Sequence, residues 1–389
     1  MKRRLDNIDI VRGLVMIIMA LDHVRDYVHA PAIAWMDPMD PSSTTVATYF
    51  TRWITHFCAP VFVMLAGMSA AIAYGRSSDQ RRSRSFLALR GAVLILAEVT
   101  IVSIGWNFSL TYPVLLLQVI WAIGWSMIVL AAAQGLGSRI VLGIGVSIIV
   151  FHNTLDPINS TGSNLYSILW QVLHDGAFHT FGGRTLMIGY PILPWIGVMF
   201  LGYGLGDIVS RREDHGKKLL RWLGLGMMAG FVVLRLVNVY GDPSPWSVWP
   251  TVEQTIMSFL DCEKYPPSLL YVCMTLGPAF FLLSLLPVKG AERGLSSIVR
   301  MFGRVPMFYY VVHIWLIHAL AWLLFFLAGY PAESFGDIRT FGGVPYGSGF
   351  DLWVVYVVWI VTVVILWPLC RWYDGLKRRY PTSTLLRLF

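Results

Sequence analysis

The stretch "DIVRGLVMIIMALDHVRDYVHA", residues 9–30, decides the fold class, because most of it is apolar enough to enter a lipid bilayer. It nevertheless carries ionisable side chains at the following positions: Asp9, Arg12, Asp22, His23, Arg25, Asp26 and His29. A charge in the middle of a bilayer costs about 3 kcal/mol on insertion scales, so such groups normally face a protein interior or a watery cavity. We interpret the stretch as the first helix of a membrane bundle, with one polar face turned inward.

The rest of the chain has the same apolar character. Its 389 residues are 56% hydrophobic and only 13% charged, with a mean hydropathy of +0.62, which exceeds what a soluble domain of this size can hide. Only helices and closed barrels span bilayers, and the apolar runs are about twice the ~10 residues of a barrel strand. We therefore predict an all-α, polytopic transmembrane helix bundle that forms a single domain over residues 1–389.

A span needs about 20 mostly apolar residues, and this criterion yields ten candidates. They cover residues 8–28, 53–74, 86–106, 113–133, 139–152, 187–206, 219–239, 267–286, 306–328 and 352–371. The fifth is shorter than the others.

The distribution of Lys and Arg predicts the orientation. If the N-terminus is cytoplasmic, 24 of the 30 Lys and Arg residues lie on the inner side or in the inner half of the first helix. The six outer ones are Arg25, Arg52, Arg184, Arg235, Lys264 and Arg339. We predict that both termini are cytoplasmic.

Two outer segments contain amphipathic patterns. Residues 165–173 and 252–260 repeat apolar side chains every three to four positions, which is typical of helices lying at a membrane surface; ordinary loop packing is the alternative. Ordered outer elements favour a covered site on the extracytoplasmic face.

The polar groups of the first helix share a face. Arg12 and His23 are eleven residues apart, which leaves them about 20° apart around the helix and ~16 Å apart along its axis. Asp9 and Asp26 fall within ~40° of the same line, whereas Asp22 lies about 80° away. A structural ion pair between Asp9 and Arg12 is the alternative to a functional stripe.

Further polar residues interrupt other apolar runs. Glu98 and Gln118 lie within predicted helices, and His56 lies at the outer end of another. His313 and His318 share the ninth span but point ~140° apart, so they cannot both bind one metal from that helix alone; we interpret them as core histidines. Gly202 and Gly206 have the spacing of helix-packing glycines.

The sequence contains no recognisable metal-ligand spacing. Cys58, Cys262, Cys273 and Cys370 form no CxxC pair, so we predict no metal. The basic pI near 9.3 is accounted for by cytoplasmic loops, so we predict no nucleic-acid partner.

Several sequence blocks resemble a known family. "NIDIVRGLVMIIMALDH", residues 7–23, is similar to the first-helix signature of transmembrane acyltransferases, in which ten residues separate an arginine from a histidine. "YPILPWIGVMFLGYGLGD" (190–207), "EKYPPSLLYVCMTLGP" (263–278) and "GRVPMFYYVVHIWLIH" (303–318) resemble bacterial relatives of heparan-α-glucosaminide N-acetyltransferase. The resemblance runs from about residue 4 to residue 320.

This resemblance implies ten or eleven helices in a bacterial inner membrane. It also implies transfer of an acyl group, most simply acetyl, from cytoplasmic acyl-CoA to a saccharide or small-molecule acceptor on the other side. The chain departs from the lysosomal enzyme, in which an asparagine occupies the place of His23 and the catalytic histidine lies farther along. Either His23 or His29 is therefore the expected catalytic histidine.

Acyl transfer requires a base, a phosphate-binding group and an acceptor site. The predicted catalytic residues are His23, His29, Asp22, Asp26 and Glu98, where a carboxylate would orient the imidazole. The predicted acyl-CoA-binding residues are Arg12, Arg76, Arg82, Arg84 and Arg304. The predicted acceptor-binding residues are Lys264, His56 and Gln118. Direct transfer and an acyl-histidine intermediate both remain open.

A proton-coupled secondary transporter is the rival function, because it would also keep intramembrane Arg, Asp, Glu and His. Against it, the sequence shows no inverted repeat and no paired broken helices. We expect every span to contact lipid. The sequence does not distinguish a monomer from a homodimer.

Overall fold

The computed structural model describes residues 6–287, 294–337 and 339–388, and it is 73% helical. Ten long helices follow the ten predicted spans: α1 (Asp6–Val28), α2 (Cys58–Arg76), α3 (Gln80–Ala97), α4 (Val119–Ala133), α5 (Ser138–Phe151), α6 (Ile192–Arg211), α7 (Glu213–Val237), α8 (Leu269–Leu285), α9 (Pro306–Leu327) and α10 (Leu352–Arg379). Within the described residues, eight helical stretches are long and apolar enough to cross a membrane. The two others are α1, which is interrupted by charges, and α8, which has 17 residues. The prediction of an all-α polytopic bundle is confirmed.

Shorter elements connect the long helices. The short α-helices are Ala30–Ile33, Val46–Thr55, Ser103–Asn107, Leu165–Trp170, Val252–Leu260, Leu295–Arg304 and Thr384–Leu388. The π-helical turns are Glu98–Val102 and Gln171–Asp175, and the 3-10 turns are Gln134–Leu136, His152–Leu155, Ala332–Ser334 and Phe341–Gly343. The two predicted outer helices are present: Leu165–Trp170 continues into the Gln171–Asp175 turn, and Val252–Leu260 has the predicted position.

A small three-stranded sheet, which the sequence did not predict, overlaps the starts of two predicted spans. Strands β1 (Val114–Leu117), β2 (Ala177–Phe181) and β3 (Arg184–Ile188) pair in the order β1-β3-β2, with β1 parallel and β2 antiparallel to β3. The predicted spans 113–133 and 187–206 therefore start too early, because short apolar runs do not distinguish strand from helix. Gly182 and Gly183 have positive φ angles and form the two-residue turn between β2 and β3.

Glycines let helix backbones touch at the centre of the bundle. A Cβ atom on Gly67 of α2 would lie 2.1 Å from the Met199 carbonyl oxygen of α6. One on Gly202 would lie 2.1 Å from the Met64 carbonyl oxygen, and one on Gly206 would lie 2.6 Å from the Met68 Cα atom. The predicted packing role of Gly202 and Gly206 is confirmed, since small residues permit such close approach.

Both ends of the described chain lie at one end of the bundle. Asp6 pairs with Arg300 at 3.0 Å, and Asp374 near the end of α10 pairs with Arg304 at 3.2 Å. We call this the basic end and the opposite one, which carries Arg52 and Lys264, the far end. Of the residues that the sequence assigned to the cytoplasm, Lys2, Arg3, Arg4, Lys289 and Arg293 lie outside the described residues.

A buried arginine holds the far-end segments in place. The guanidinium of Arg235 on α7 donates to the carbonyls of Ser244, Ser258, Phe259 and Asp261. Three of these carbonyls lie at the end of helix Val252–Leu260, where helix carbonyls lack intrahelical partners. The surface helix is therefore tied to the bundle by a charge-assisted C-cap.

Candidate active site

A cavity of about 590 Å³ runs along the polar face of α1. At the basic end its wall contains Arg304 and Arg378; Arg12 and Met19 follow along α1, and His23 lines it toward the far end. Because Arg12 and His23 lie ~16 Å apart along the helix axis, the cavity reaches through much of the membrane thickness. The polar stripe predicted from the sequence therefore faces a cavity.

Positive charge dominates the basic end of this cavity. The charged side chains in its wall there are Arg90, Arg304, Asp374, Lys377, Arg378 and Arg387. Asp374 is shared, because Arg304 contacts it at 3.2 Å and Arg378 at 2.9 Å. Among the described residues, five cations and one carboxylate line this end, which suits an anion such as a phosphate.

Three hydrogen bonds to described residues hold Arg12 between the basic end and the middle of α1. Its Nη1 donates to Asp9 Oδ1 at 2.9 Å and to the Gly303 carbonyl at 3.0 Å, and its Nη2 donates to Ser69 Oγ at 2.7 Å. Gly303 and Gly13 let helix Leu295–Arg304 cross α1 at backbone contact. The ion pair proposed as the alternative to a functional stripe is thus present, and Arg12 still lines the cavity.

His23 forms a pair with His313 of α9. His313 Nδ1 lies 2.6 Å from the Tyr310 carbonyl, which can only accept, so Nδ1 carries the proton. In the neutral ring Nε2 is then an acceptor, and His23 Nδ1, 2.8 Å away, must donate to it. The remaining nitrogen of His23, Nε2, is left with a free lone pair, which is the state that a general base requires.

Aromatic side chains surround the two histidines. The rings of His23 and Trp106 are 4.7 Å apart, centre to centre, and His23 and His313 stack at 4.9 Å. The Tyr310 hydroxyl is buried near the Trp106 indole, and it has no hydrogen-bond partner of normal geometry among the described residues. A buried donor without an acceptor beside a candidate base is available for a substrate oxygen.

An interlocked group of charges lies beyond His23 at the far end. Asp22 accepts from Arg52 and lies 3.4 Å from Arg25, which contacts Asp26 at 2.6 Å. Lys264 lines the cavity and is buried, yet no carboxylate lies within 4.0 Å of its ammonium in the described part of the chain. Within this group of five side chains, two carboxylates against three cations leave one positive charge.

A known protein family matches this chain. The sequence model of the family described as heparan-alpha-glucosaminide N-acetyltransferase, catalytic, matches residues 4–236, which is more than half of the chain. The chain belongs to this family. No curated protein matches it. The resemblance stated from the sequence is confirmed, and family membership makes this chain a membrane-bound transferase. The blocks at 263–278 and 303–318 lie beyond the matched residues.

The structure brings only part of the predicted site of this acetyltransferase together. The cavity wall contains five of the predicted site residues: Arg12, Asp22, His23, Lys264 and Arg304. The predicted residues outside that wall are Asp26, His29, His56, Arg76, Arg82, Arg84, Glu98 and Gln118. Asp22 is bound to arginines rather than to the His23 ring, so the expected carboxylate–histidine pair is absent from the described contacts; His313 takes that position instead.

Several of the residues outside the cavity wall have structural partners. Glu98 Oε1 accepts from the backbone of Gln118 at 3.2 Å, at the N-terminus of α4, where an anion stabilises the helix. Arg84 caps the other end of α4 through the carbonyls of Ala131 and Ala132. His29 is buried at the turn after α1, and its backbone pairs with Phe350.

Sequence reasoning missed three groups of site residues. His313 was interpreted as a core histidine, because one helix considered alone cannot reveal a partner on another. Arg90, Lys377, Arg378 and Arg387 were not assigned, although "GLKRRY" at 375–380 is a visible basic cluster. The predicted absence of a metal was based on spacing, whereas the fold brings His152, Asp156 and His174 together away from this cavity.

Proposed function

We propose that this protein transfers an acetyl group from cytoplasmic acetyl-CoA to an amine or hydroxyl of a saccharide acceptor on the extracytoplasmic side of a bacterial inner membrane. The observation that carries the proposal is the cavity itself, which has an excess of cations at one end and the His23–His313 pair toward the other. An acyl-CoA molecule has the matching asymmetry, with phosphates at one end and a thioester at the end of a long uncharged arm.

The basic end would hold the nucleotide. Arg304, Arg378 and Arg387 face the cavity with one carboxylate, Asp374, between the first two, so phosphate oxygens can replace or supplement that partner. The pantetheine arm would then extend past Arg12 and Met19 over the ~16 Å that separate Arg12 from His23. The thioester carbonyl would then lie beside His23.

The transfer itself would use the free lone pair on His23 Nε2. This nitrogen takes the proton from the acceptor amine or hydroxyl as the acceptor attacks the thioester carbonyl carbon. The new C–N or C–O bond forms, the C–S bond breaks, and the proton passes to the departing CoA sulfur. His313 accepts from His23 Nδ1 and stabilises the positive charge that His23 acquires. The Tyr310 hydroxyl is the available donor to the carbonyl oxygen in the transition state.

Lys264 would bind the acceptor. Its ammonium lines the cavity near His23 without a carboxylate partner among the described residues, so it favours an acceptor carrying a negative charge. An acyl-His23 intermediate would use the same groups, with Nε2 attacking the thioester first.

The test is transfer by the purified full-length protein in detergent, supplied with radiolabelled acetyl-CoA and a panel of neutral and acidic amino sugars and sugar alcohols. We expect label to move to an acceptor and free CoA to appear in equal amount. Absence of transfer, combined with substrate-driven proton uptake in reconstituted vesicles, would instead establish the rival secondary transporter. Stable label on the protein without acceptor would identify the acyl-histidine route.

Sidedness is tested separately in intact cells. A cysteine at exposed Ser247, in the far-end segment, should react with a membrane-impermeant thiol reagent before lysis. Labelling only after lysis would invert the orientation and overturn the assignment of donor and acceptor sides.

A further inference from the structure

Three potential metal ligands meet at the far end, outside the cavity. His152 follows α5 directly, Asp156 lies one turn later, and His174 belongs to the Gln171–Asp175 turn. One ligand atom from each lies within 4.8 Å of the other two. The two histidines are 22 positions apart in the chain, so only the fold brings them together.

His174 lacks a consistent hydrogen-bonding state without a cation beside it. Its Nδ1 lies 3.1 Å from Asp175 Oδ1, while its Nε2 lies 3.2 Å from the His152 carbonyl oxygen and 3.5 Å from Asp156 Oδ1. All of these neighbours are acceptors, but a neutral imidazole has only one N–H. One ring nitrogen therefore points a lone pair at oxygen, unless a proton or a metal ion lies between.

The orientation matches that of a metal-binding histidine. With Nδ1–H donated to Asp175, Nε2 is left as the ligand atom, as in carboxylate–histidine–metal arrangements. Asn153 Nδ2 donates to Asp156 Oδ2 at 2.9 Å and leaves Oδ1 directed toward His174. The hydrogen-bonding partners that would orient His174 and Asp156 as ligands are thus already in place.

The surroundings of His152 favour a metal ion at this site over a simple proton on His174. It is 97% buried, since its relative exposure is 3%, and neither ring nitrogen has a hydrogen-bond partner of normal geometry among the described residues. The Pro267 carbonyl faces the ring without meeting that geometry. Protonation of His174 would leave both ring nitrogens of His152 without a partner. A shared ion would bind one of them together with Asp156 and His174, and would leave only the His152 N–H, which faces the Pro267 carbonyl.

The charge around the site also favours a cation. Asp156 and Asp175 border it directly, and Asp242 is the next carboxylate outward. Arg235 lies 3.7 Å from Asp242 on its other side.

We propose that His152, Asp156 and His174 form a binding site for a divalent transition-metal ion, with zinc the best match. Two imidazoles and one carboxylate with an open fourth position are a common zinc ligand set. Zinc–ligand bonds of about 2.0–2.2 Å place ligand atoms about 3.3–3.5 Å apart, so the cluster must contract by roughly 1.5 Å at most.

The ion would clamp the outer segments and take no part in acyl transfer. It would join the end of α5 to the turn at Gln171–Asp175 and so close the intervening loop. Asn153 Oδ1 accepts from the Leu269 backbone at the start of α8, directly after the segment that carries Lys264. The clamp would thereby support the wall that holds Lys264.

The experiment uses the full-length protein in detergent, purified without a polyhistidine tag and stripped with a chelator. Zinc binding is measured by calorimetry and metal analysis, and cobalt binding by its visible absorption. We expect one zinc per chain at micromolar concentration and a lower melting temperature after chelation. Asp156→Asn and His174→Gln, which preserve side-chain size, should each weaken zinc binding at least 10-fold and abolish the melting-temperature shift. Asp175→Asn should weaken it 10- to 100-fold by removing the orienting carboxylate.

His215→Ala is the matched control, because His215 is exposed at the start of α7 at the basic end. It should bind zinc like the unmodified protein. The proposal is wrong if the unmodified protein binds less than one zinc at micromolar concentration. It is equally wrong if Asp156→Asn and His174→Gln bind zinc normally, since the ion would then lie elsewhere. Neither result depends on transferase activity.

Discussion

The two ends of the cavity use the same kinds of charged side chain in different ways. At the basic end Arg304 and Arg378 share one carboxylate, and their side chains are 20% and 57% exposed. At the far end Arg25 and Arg52 are only 6% and 14% exposed and are locked to Asp22 and Asp26. Exposed cations can exchange partners with an arriving anion at little cost, whereas buried ion pairs cannot. We infer that the basic end binds the anionic part of the donor and that the far end holds the reacting groups in position.

Removing the base should have the largest effect. His23→Ala should lower transfer by about 10²-fold or more, because it removes the ring nitrogen, Nε2, that accepts the proton, while acetyl-CoA binding persists. The measurement is kcat alongside equilibrium binding of labelled acetyl-CoA. His29→Ala is the matched control and should be much milder, since His29 lies outside the cavity wall. The reverse ranking would move the chemistry to His29.

Substitution of His313, the partner of His23, should have the second-largest effect on transfer. His313→Leu removes the acceptor for His23 Nδ1 and should lower kcat about 10-fold without raising the KM for acetyl-CoA. His313→Gln, whose amide oxygen can accept the same hydrogen bond, should recover part of that loss. His318→Ala is the control, because His318 is bonded to the Gly105 carbonyl instead. A purely structural His313 would show no rescue by glutamine.

The basic end should show a binding effect. Arg378→Ala should raise the KM for acetyl-CoA about 3- to 10-fold and leave kcat nearly unchanged, because it removes a phosphate contact remote from the reaction. The effect should shrink at high salt, as expected for an exposed charge. Arg82→Ala changes a residue outside the cavity wall. It should change neither the KM for acetyl-CoA nor the dependence of that KM on salt. A fall in kcat with unchanged KM would contradict the division between binding and positioning.

Lys264 should give the smallest effect and should show it only with acidic acceptors. Lys264→Met keeps much of the side-chain bulk and should raise the KM for a negatively charged acceptor several-fold, with little change for a neutral one. The check is a paired measurement with an acidic and a neutral sugar of the same core structure. Equal effects on both would make Lys264 a packing residue.

Much of the fold follows from local sequence. Apolar runs of membrane-spanning length predict the ten helices, and the 3.6-residue period alone aligns Arg12 with His23 toward one cavity. Helix boundaries were wrong at β1 and at the end of β3, because a short apolar run fits either a strand or the start of a helix.

The sequence identified five residues of the cavity wall but not their partners on other elements. The sequence by itself determined the membrane bundle and the polar stripe of α1, because hydropathy and periodicity are local properties. Only the tertiary structure decided that His313 pairs with His23, that Glu98 caps α4, and that His152 meets His174. Each of these contacts joins side chains from separate elements. Their chemistry depends on distances of about 3 Å, which the packing of helix faces sets and sequence spacing does not record.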